Sequence, residues 1–185
     1  MIPQFTYHLD PIASRSVFRS NVPCYCCLKN RGYLYGGESY SLDLDDEKFC
    51  PWCISNGQVY KRFDVSFIDG FVLSDDTFLI PEDAHEILPA EICKTICHYT
   101  PSFLSWQGAN WWVHCHDAAL FLGRAGPEFV EKFENKLTSG IAQDDQFNSQ
   151  ILLKYFQQFD ENTGPTAYIF QCRHCQTYGG YWDCH

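Results

Sequence analysis

The tetrapeptides Cys24-Tyr-Cys-Cys27 and Cys50-Pro-Trp-Cys53 decide how this chain is read. Each is a C-x2-C turn that presents two thiolates about one sulfur–sulfur edge apart, and two such turns supply the four soft ligands of a tetrahedral zinc site. Between them, Arg31-Gly-Tyr-Leu-Tyr-Gly-Gly37 and Ser39-Tyr-Ser-Leu42 are β-prone runs around a glycine pair, which predicts a hairpin. After them, Ile54, Gln58 and Lys61 share helical turns toward Phe63 despite Gly57, which predicts a short helix leaving the second pair. Hairpin and helix together are the parts of a treble-clef zinc module over about residues 22–63. Cys26 is an alternative ligand to Cys24 or Cys27, with poorer spacing. Buried thiols that never meet are the competing reading, and the spacing argues against it.

Working outward, Cys172-Arg-His-Cys175 repeats the C-x2-C turn at the end of a run in which Tyr168, Phe170 and Cys172 alternate with Ala167, Ile169 and Gln171. Two thiolates do not fill a zinc shell. Trp111 to Cys115 has the aromatic and β-branched character of a buried strand, and its end offers His114 and Cys115. Adjacent strand residues face opposite ways, so only one of the two reaches a given metal unless the strand breaks there, and Cys115 is the preferred third ligand. Asp183, Cys184, His185 and Cys97 are candidates for the fourth. One zinc ion is expected, and a second if Cys115, Cys172 and Cys175 converge. An enzymatic alternative makes Cys115 a nucleophile activated by a histidine and oriented by Asp117, or makes the metal hydrolytic. A closed four-thiolate shell leaves no coordination position for water, which disfavours both.

The remaining chain reads as helices and strands around one core. Residues 1–20 show no periodicity and predict an ordered or semi-ordered arm. Pro89 opens a helix carrying Ile92, Cys93, Ile96 and Cys97 that Pro101 closes. Ala119 to Leu122 continues the sheet. Phe129, Val130, Phe133 and Leu137 form one apolar helical face between Gly126-Pro127 and Gly140, and Phe147 to Phe159 forms another. Trp106, Trp111, Trp112, Tyr181 and Trp182 read as core aromatics before they read as a binding surface. The expected architecture is α+β: a treble-clef-like zinc module packed on a small antiparallel sheet with two or three helices, in one domain of residues 1–185.

Composition narrows the function classes. With 185 residues and 17% aromatics, the chain has material for one well-filled core. Its 23 acidic against 13 basic residues give a net charge of −10, a field that repels a phosphate backbone. Asp43, Asp45, Asp46 and Glu47 read as a solvated run. Lys29, Arg31, Lys61 and Arg62 are basic residues near the zinc module, and the patch is too small for a nucleic-acid footprint. The opening MIPQFTYHLDPIASRSVF has neither the basic nor the apolar region of a signal peptide, and no window approaches a membrane span. Eleven cysteines, an odd number, in a chain with no export signal point to reduced thiols, metal and the cytoplasm.

On these residues the chain resembles the CbrC family, named for a colicin E2 tolerance protein. The resemblance is carried by Pro3-Gln-Phe-Thr-Tyr-His8, Cys24-x2-Cys27 with Arg31-Gly-Tyr33, Cys50-Pro-Trp-Cys-Ile54 and Thr100-Pro-Ser-Phe103. Trp106-Gln107, His114-Cys115-x-Asp117, Gly164-Pro-Thr-Ala-Tyr168 and Phe170-x-Cys172-x2-Cys175 extend it over nearly the whole chain. It implies a bacterial protein with metal-binding cysteine pairs and a link to colicin tolerance, and supplies no mechanism. Together with the closed shell, it favours a non-enzymatic protein that acts through a protein partner over a metal- or thiol-dependent hydrolase or transferase.

The charge balance makes a first testable statement. At physiological salt the protein should form no retained complex with random duplex DNA, because too few cations are present to release counterions. An electrophoretic mobility series with a salt titration checks this; a sub-micromolar, salt-sensitive complex is the contrary result.

Overall fold

The computed structural model describes residues 1–68, 72–74, 77–79, 88–125 and 163–184. Both apolar helical patterns between Gly126 and Phe159 lie outside these residues. Within them the fold is α+β, with small antiparallel sheets and three helices.

The first sheet recruits the arm. Val17–Arg19 (β1) pairs antiparallel with Tyr33–Tyr35 (β2), with Val17 opposite Tyr35 and Arg19 opposite Tyr33. The hairpin expected between the runs Arg31–Gly37 and Ser39–Leu42 therefore does not form. Its second run sends Tyr40 to Ser66 instead, where each backbone N–H donates to the other's carbonyl at 2.8 and 2.9 Å. The glycine pair explains the difference. A Cβ on Gly36 would lie 2.9 Å from Phe18 Cδ1, and one on Gly37 would lie 2.3 Å from the Tyr35 hydroxyl. These glycines admit two aromatic rings and do not reverse the chain.

Pro51–Ser55 (α1) begins at Cys50, with proline at the first helical position where its missing N–H costs nothing. The expected single helix is broken at Gly57, whose φ of 70° is left-handed, and Gln58–Phe63 (α2) restarts after it. A Cβ at Gly57 would meet Tyr99 Cε1 at 2.2 Å, so the break lets the next helix pack close. Val72–Ser74 (β3) and Thr77–Leu79 (β4) form a small antiparallel ladder. Ala90–Tyr99 (α3) lies between Pro89 and Thr100-Pro101, as its punctuation predicts, and buries Cys93, Ile96 and Cys97.

The run Trp111–Cys115 is not one buried strand. Only Val113–His114 (β5) is extended, and it pairs with Asp117–Ala118 (β6), with His114 opposite Asp117. Cys115 and His116 make the two-residue turn at φ values of 56° and 57°. Both central residues of the tightest right-twisting hairpin turn need positive φ, a role that Asn-Gly usually fills.

The main sheet has the order Leu120–Ala125 (β7), Thr166–Gln171 (β8) and Tyr178–Asp183 (β9), all antiparallel. Five of the six residues of β8 are buried, so neither face of this central strand meets water. The N-terminal arm lies along the free edge of β7: Phe121 N–H donates to Tyr7 O at 2.8 Å, and Leu9 N–H to Phe121 O at 3.0 Å. The sheet and α3 share one apolar core with Tyr7, Phe103, Trp111, Phe121, Tyr168 and Phe170. A second core gathers Leu34, Tyr35, Phe49, Ile54 and Phe67 around Cys24, Cys50 and Cys53. No helix among the described residues is long and apolar enough to cross a membrane.

His8 fixes the arm. It is 1% exposed, stacks edge-on to Phe121 at 5.1 Å, and its Nδ1 lies 2.8 Å from Pro101 O and its Nε2 2.7 Å from Ser14 Oγ. A carbonyl only accepts, so Nδ1 carries the proton and Nε2 accepts from Ser14 in a neutral ring. Burial holds the imidazole down to about 4 from 6.5. Above pH 6.5 the folded and unfolded chains both carry neutral histidine; as pH falls, the unfolded chain protonates first and the fold loses stability down to about pH 4. The expected loss over that window is about 3 kcal/mol from this group. Denaturant midpoints of the parent and His8→Gln between these limits should diverge, the variant curve being flatter; parallel curves would remove His8 from the account.

Candidate metal centres

Two turns with one hydrogen-bond pattern build the two sites. Cys24 N–H donates to Lys29 O at 3.0 Å and Leu28 N–H to Cys24 O at 2.7 Å, with Leu28 left-handed at φ 58°. At the second turn Cys172 N–H donates to Thr177 O at 2.8 Å and Gln176 N–H to Cys172 O at 3.1 Å, with Gln176 left-handed at φ 65°. In each, a backbone N–H also reaches the first sulfur: Cys50 N to Cys24 Sγ at 3.2 Å, and His174 N to Cys172 Sγ at 3.4 Å. Such donors stabilise a thiolate and aim it.

Cys24, Cys27, Cys50 and Cys53 place their sulfurs within 4.8 Å of one another, three of the residues buried and Cys27 half-buried. Cys27 and Cys50 sulfurs are 3.9 Å apart. A tetrahedral shell with metal–sulfur bonds of about 2.3 Å has edges of about 3.8 Å, so the geometry fits. Cys26 is outside this group. Its sulfur lies 3.8 Å from Arg62 Nη1, and burial pushes its thiol up.

The second group is His114, Cys115, Cys172 and Cys175, again within 4.8 Å. Its fourth member is the residue that strand alternation sets aside. His114 Nδ1 stands 3.2 Å from Cys115 Sγ and 3.4 Å from Cys175 Sγ, and the two sulfurs are 3.8 Å apart. Alternation in a continuous strand would separate His114 from Cys115; the left-handed turn that begins at Cys115 cancels it. The signal available in the sequence is the polar run His114-Cys-His-Asp117, which is turn chemistry after an apolar run. Of the other candidates, Asp183 accepts from the Tyr168 hydroxyl at 2.7 Å and from Gln107 N–H at 3.1 Å. Cys184 offers its carbonyl to Gln107 Nε2 at 2.8 Å, Cys97 is buried in the main core, and His185 lies outside the described residues.

The thiols divide their protons unequally. Cys24 is held down to about 4, chiefly by hydrogen bonding from Cys50 and then by backbone N–H groups, against burial. Cys50 is pushed up for the reciprocal reason, and burial pushes Cys53 up. Cys175 is held down to about 6, first by the Thr177 hydroxyl, 3.2 Å away. A cation entering either group displaces the remaining protons. All eleven cysteines are free thiols, and thiolate with imidazole is a donor set for soft or borderline cations, so both groups can hold a metal ion.

Asp117 anchors the second group from behind. This carboxylate, 7% exposed, accepts from the Tyr7 hydroxyl at 2.9 Å, from Arg173 Nη1 at 2.7 Å and from His174 Nε2 at 2.9 Å. Both intervening residues of the Cys172–Cys175 turn are thereby tied to the residue that follows the Cys115-His116 turn, and Arg173 also stacks over Tyr7 at 4.8 Å. The histidine that Asp117 engages is His174, whereas the ring beside Cys115 Sγ is that of His114. Trp112 stacks on His114 with ring centroids 5.1 Å apart, in space that Gly179 leaves open, where a Cβ would approach Trp112 to 2.2 Å.

A protein-family model described as "Uncharacterised protein family (UPF0167)" matches residues 2–184, and the chain belongs to that family. A UPF0167 protein of Pseudomonas aeruginosa is 34% identical over 178 residues, covering 94% of this chain and 92% of the relative. UPF0167 proteins of Mycobacterium bovis and Mycobacterium tuberculosis are each 32% identical over 189 residues, covering 98% of this chain and 93% of theirs. No solved structure matches the chain.

The two groups differ in access. Cys115 and Cys175 are exposed, whereas Cys24, Cys50 and Cys53 are buried. Metal release to excess chelator should therefore run in two phases, the faster one absent in Cys115→Ser and accelerated in Gly179→Ala, whose methyl would displace Trp112. A chromophoric chelator follows this directly, and a single phase, or a fast phase that survives Cys115→Ser, contradicts the assignment.

Proposed function

From the family membership and the two ligand groups, we propose that this is a zinc-stabilised, non-enzymatic bacterial protein that acts in the cytoplasm by binding another protein. One observation carries the reading: each group supplies four protein donors, which closes a tetrahedral shell and leaves no position for a water nucleophile. Zinc is the cation proposed for both, held by four thiolates in the first group and by three thiolates and one imidazole in the second. Residues 1–185 are read as one domain, with a treble-clef-like zinc module at about residues 22–63 formed by the Cys24 turn and the helix start at Cys50. The resemblance to the CbrC family, through the motifs quoted above, supports a part in colicin E2 tolerance.

A second reading has one specific observation in its favour. Cys115 is exposed, with its sulfur 3.2 Å from His114 Nδ1, a pair suited to a thiol-dependent hydrolase or transferase if no metal occupies the group. Native alkylation separates the two, because a zinc-bound Cys115 is protected until chelator is added, and a catalytic one reacts at once.

Elemental analysis of protein purified without chelator should give about two zinc ions per chain. Structural zinc contributes roughly 10 to 16 kcal/mol in small finger peptides, against about 5 to 15 kcal/mol of net stability for a whole domain. Cys50→Ser or Cys53→Ser should thus unfold the chain or render it insoluble, while Cys93→Ser, a buried helix residue, should cost about 1 to 3 kcal/mol and keep the metal. Zinc content and thermal midpoint are measured together for the three variants. Full zinc with unchanged midpoints in Cys50→Ser and Cys53→Ser would sink the four-thiolate site.

A further inference from the structure

A cleft of about 650 Å³ opens at the mouth of the first cysteine group, and among the described residues its lining carries Lys29, Arg31 and Arg62 but no carboxylate. That is unexpected in a chain with 23 acidic and 13 basic residues. Among the described residues no carboxylate lies within ion-pair distance of these three cations, although Lys48 and Arg173 both have such partners. Around a divalent cation the four thiolates behind the cleft would carry a net charge of about −2, which offsets part of the repulsion among these three cations and leaves the lining net positive toward an incoming anion.

Both arginines are held in place. Arg31 lies over the Trp52 ring at 5.4 Å, and Arg62 lies over the Phe63 ring at 4.9 Å and donates from Nη1 to the Cys26 carbonyl. A guanidinium whose face is already stacked loses less freedom when its edge binds an oxyanion, and that planar edge matches a carboxylate bidentately. Leu28, left-handed at φ 58° and 78% exposed, lines the same cleft as the half-buried Trp52. The lining thus combines three cations with an apolar contact.

We propose that this cleft recognises a short carboxylate-rich segment of a partner protein, acidic side chains meeting Lys29, Arg31 and Arg62 and an apolar side chain meeting Leu28 and Trp52. The inference rests on the binding-protein reading and adds the docking site and the partner's chemistry. A nucleic acid is the poorer occupant, because its phosphates continue past the cleft into the field of a chain with net charge −10, whereas a peptide carries its charge locally.

The test is fluorescence anisotropy of a fluorescein-labelled hexapeptide, Asp-Asp-Leu-Asp-Asp-Gly, with the metal-replete full chain at low ionic strength. Inorganic phosphate and a single-stranded oligonucleotide serve as competitors, and a Lys-Lys-Leu-Lys-Lys-Gly peptide as the charge control. Saturable binding is expected for the acidic peptide only. It should weaken at least about tenfold, or 1.4 kcal/mol, in Lys29→Glu/Arg31→Glu, whose side chains ligate nothing and whose zinc content should match the parent. Lys29→Gln/Arg31→Gln replaces it should charge reversal impair folding. Equal binding by parent and variant, no binding at all, or tighter binding of the phosphate or oligonucleotide each overturns the proposal. Zinc content decides the zinc reading separately, so either can fail while the other stands.

Discussion

Four sulfur atoms held within 4.8 Å of one another are a mutually repelling set once they ionise, and the described structure is organised around two places where the chain brings such donors together. Without a cation the conflict is relieved by proton sharing, as between Cys24, held down, and Cys50, pushed up. With one, each group becomes a cross-link between segments distant in sequence. The first ties the turn after β1 to the start of α1, and its cysteines are also members of the second apolar core. That core and the ligand group are one packing problem, which is why losing a ligand there should be felt by Leu34, Tyr35 and Phe49 as well.

The second group has the same turn chemistry in a different setting. Its knuckle closes the β8–β9 hairpin, and its other two donors come from a hairpin whose central residues are Cys115 and His116 at positive φ. Non-glycine residues in that conformation cost of order 1 kcal/mol or more each and persist where surrounding structure over-determines them. Here the surroundings are visible: Asp117 draws together Tyr7, Arg173 and His174, and Trp112 covers His114. The N-terminal arm therefore contributes to the site twice, through Tyr7 on Asp117 and through its backbone pairing with Phe121.

Much of this is legible in the sequence. The C-x2-C spacing carries its meaning locally, because a turn of that length can hardly avoid presenting two sulfurs on one side. The three pairs named from it, Cys24 with Cys27, Cys50 with Cys53, and Cys172 with Cys175, fall into the groups the structure assembles. Pro89 and Pro101 bracket α3 for equally local reasons. The hairpin expected around Gly36-Gly37 fails because glycine has two uses, reversal and close approach, and only the positions of Phe18 and Tyr35 reveal which applies. The arm lacks any pattern because its pairings are short, a single parallel bridge at the edge of β7 and the three-residue β1 against β2, with the buried His8 as its anchor.

The sequence by itself determined the α+β class, the soft donor types and the turns that pair them, since each depends on residues within a few positions of one another. Only the tertiary structure decided which histidine or acidic group completes the second set, that Asp117 braces it, and that Lys29, Arg31 and Arg62 share a cleft with no carboxylate among its described lining residues. Those facts depend on segments more than thirty residues apart, as with Cys26 and Arg62 at a separation of 36 and Cys115 and Cys175 at 60. At such distances local spacing says nothing about direction, and the packing of the two cores sets which side chains meet.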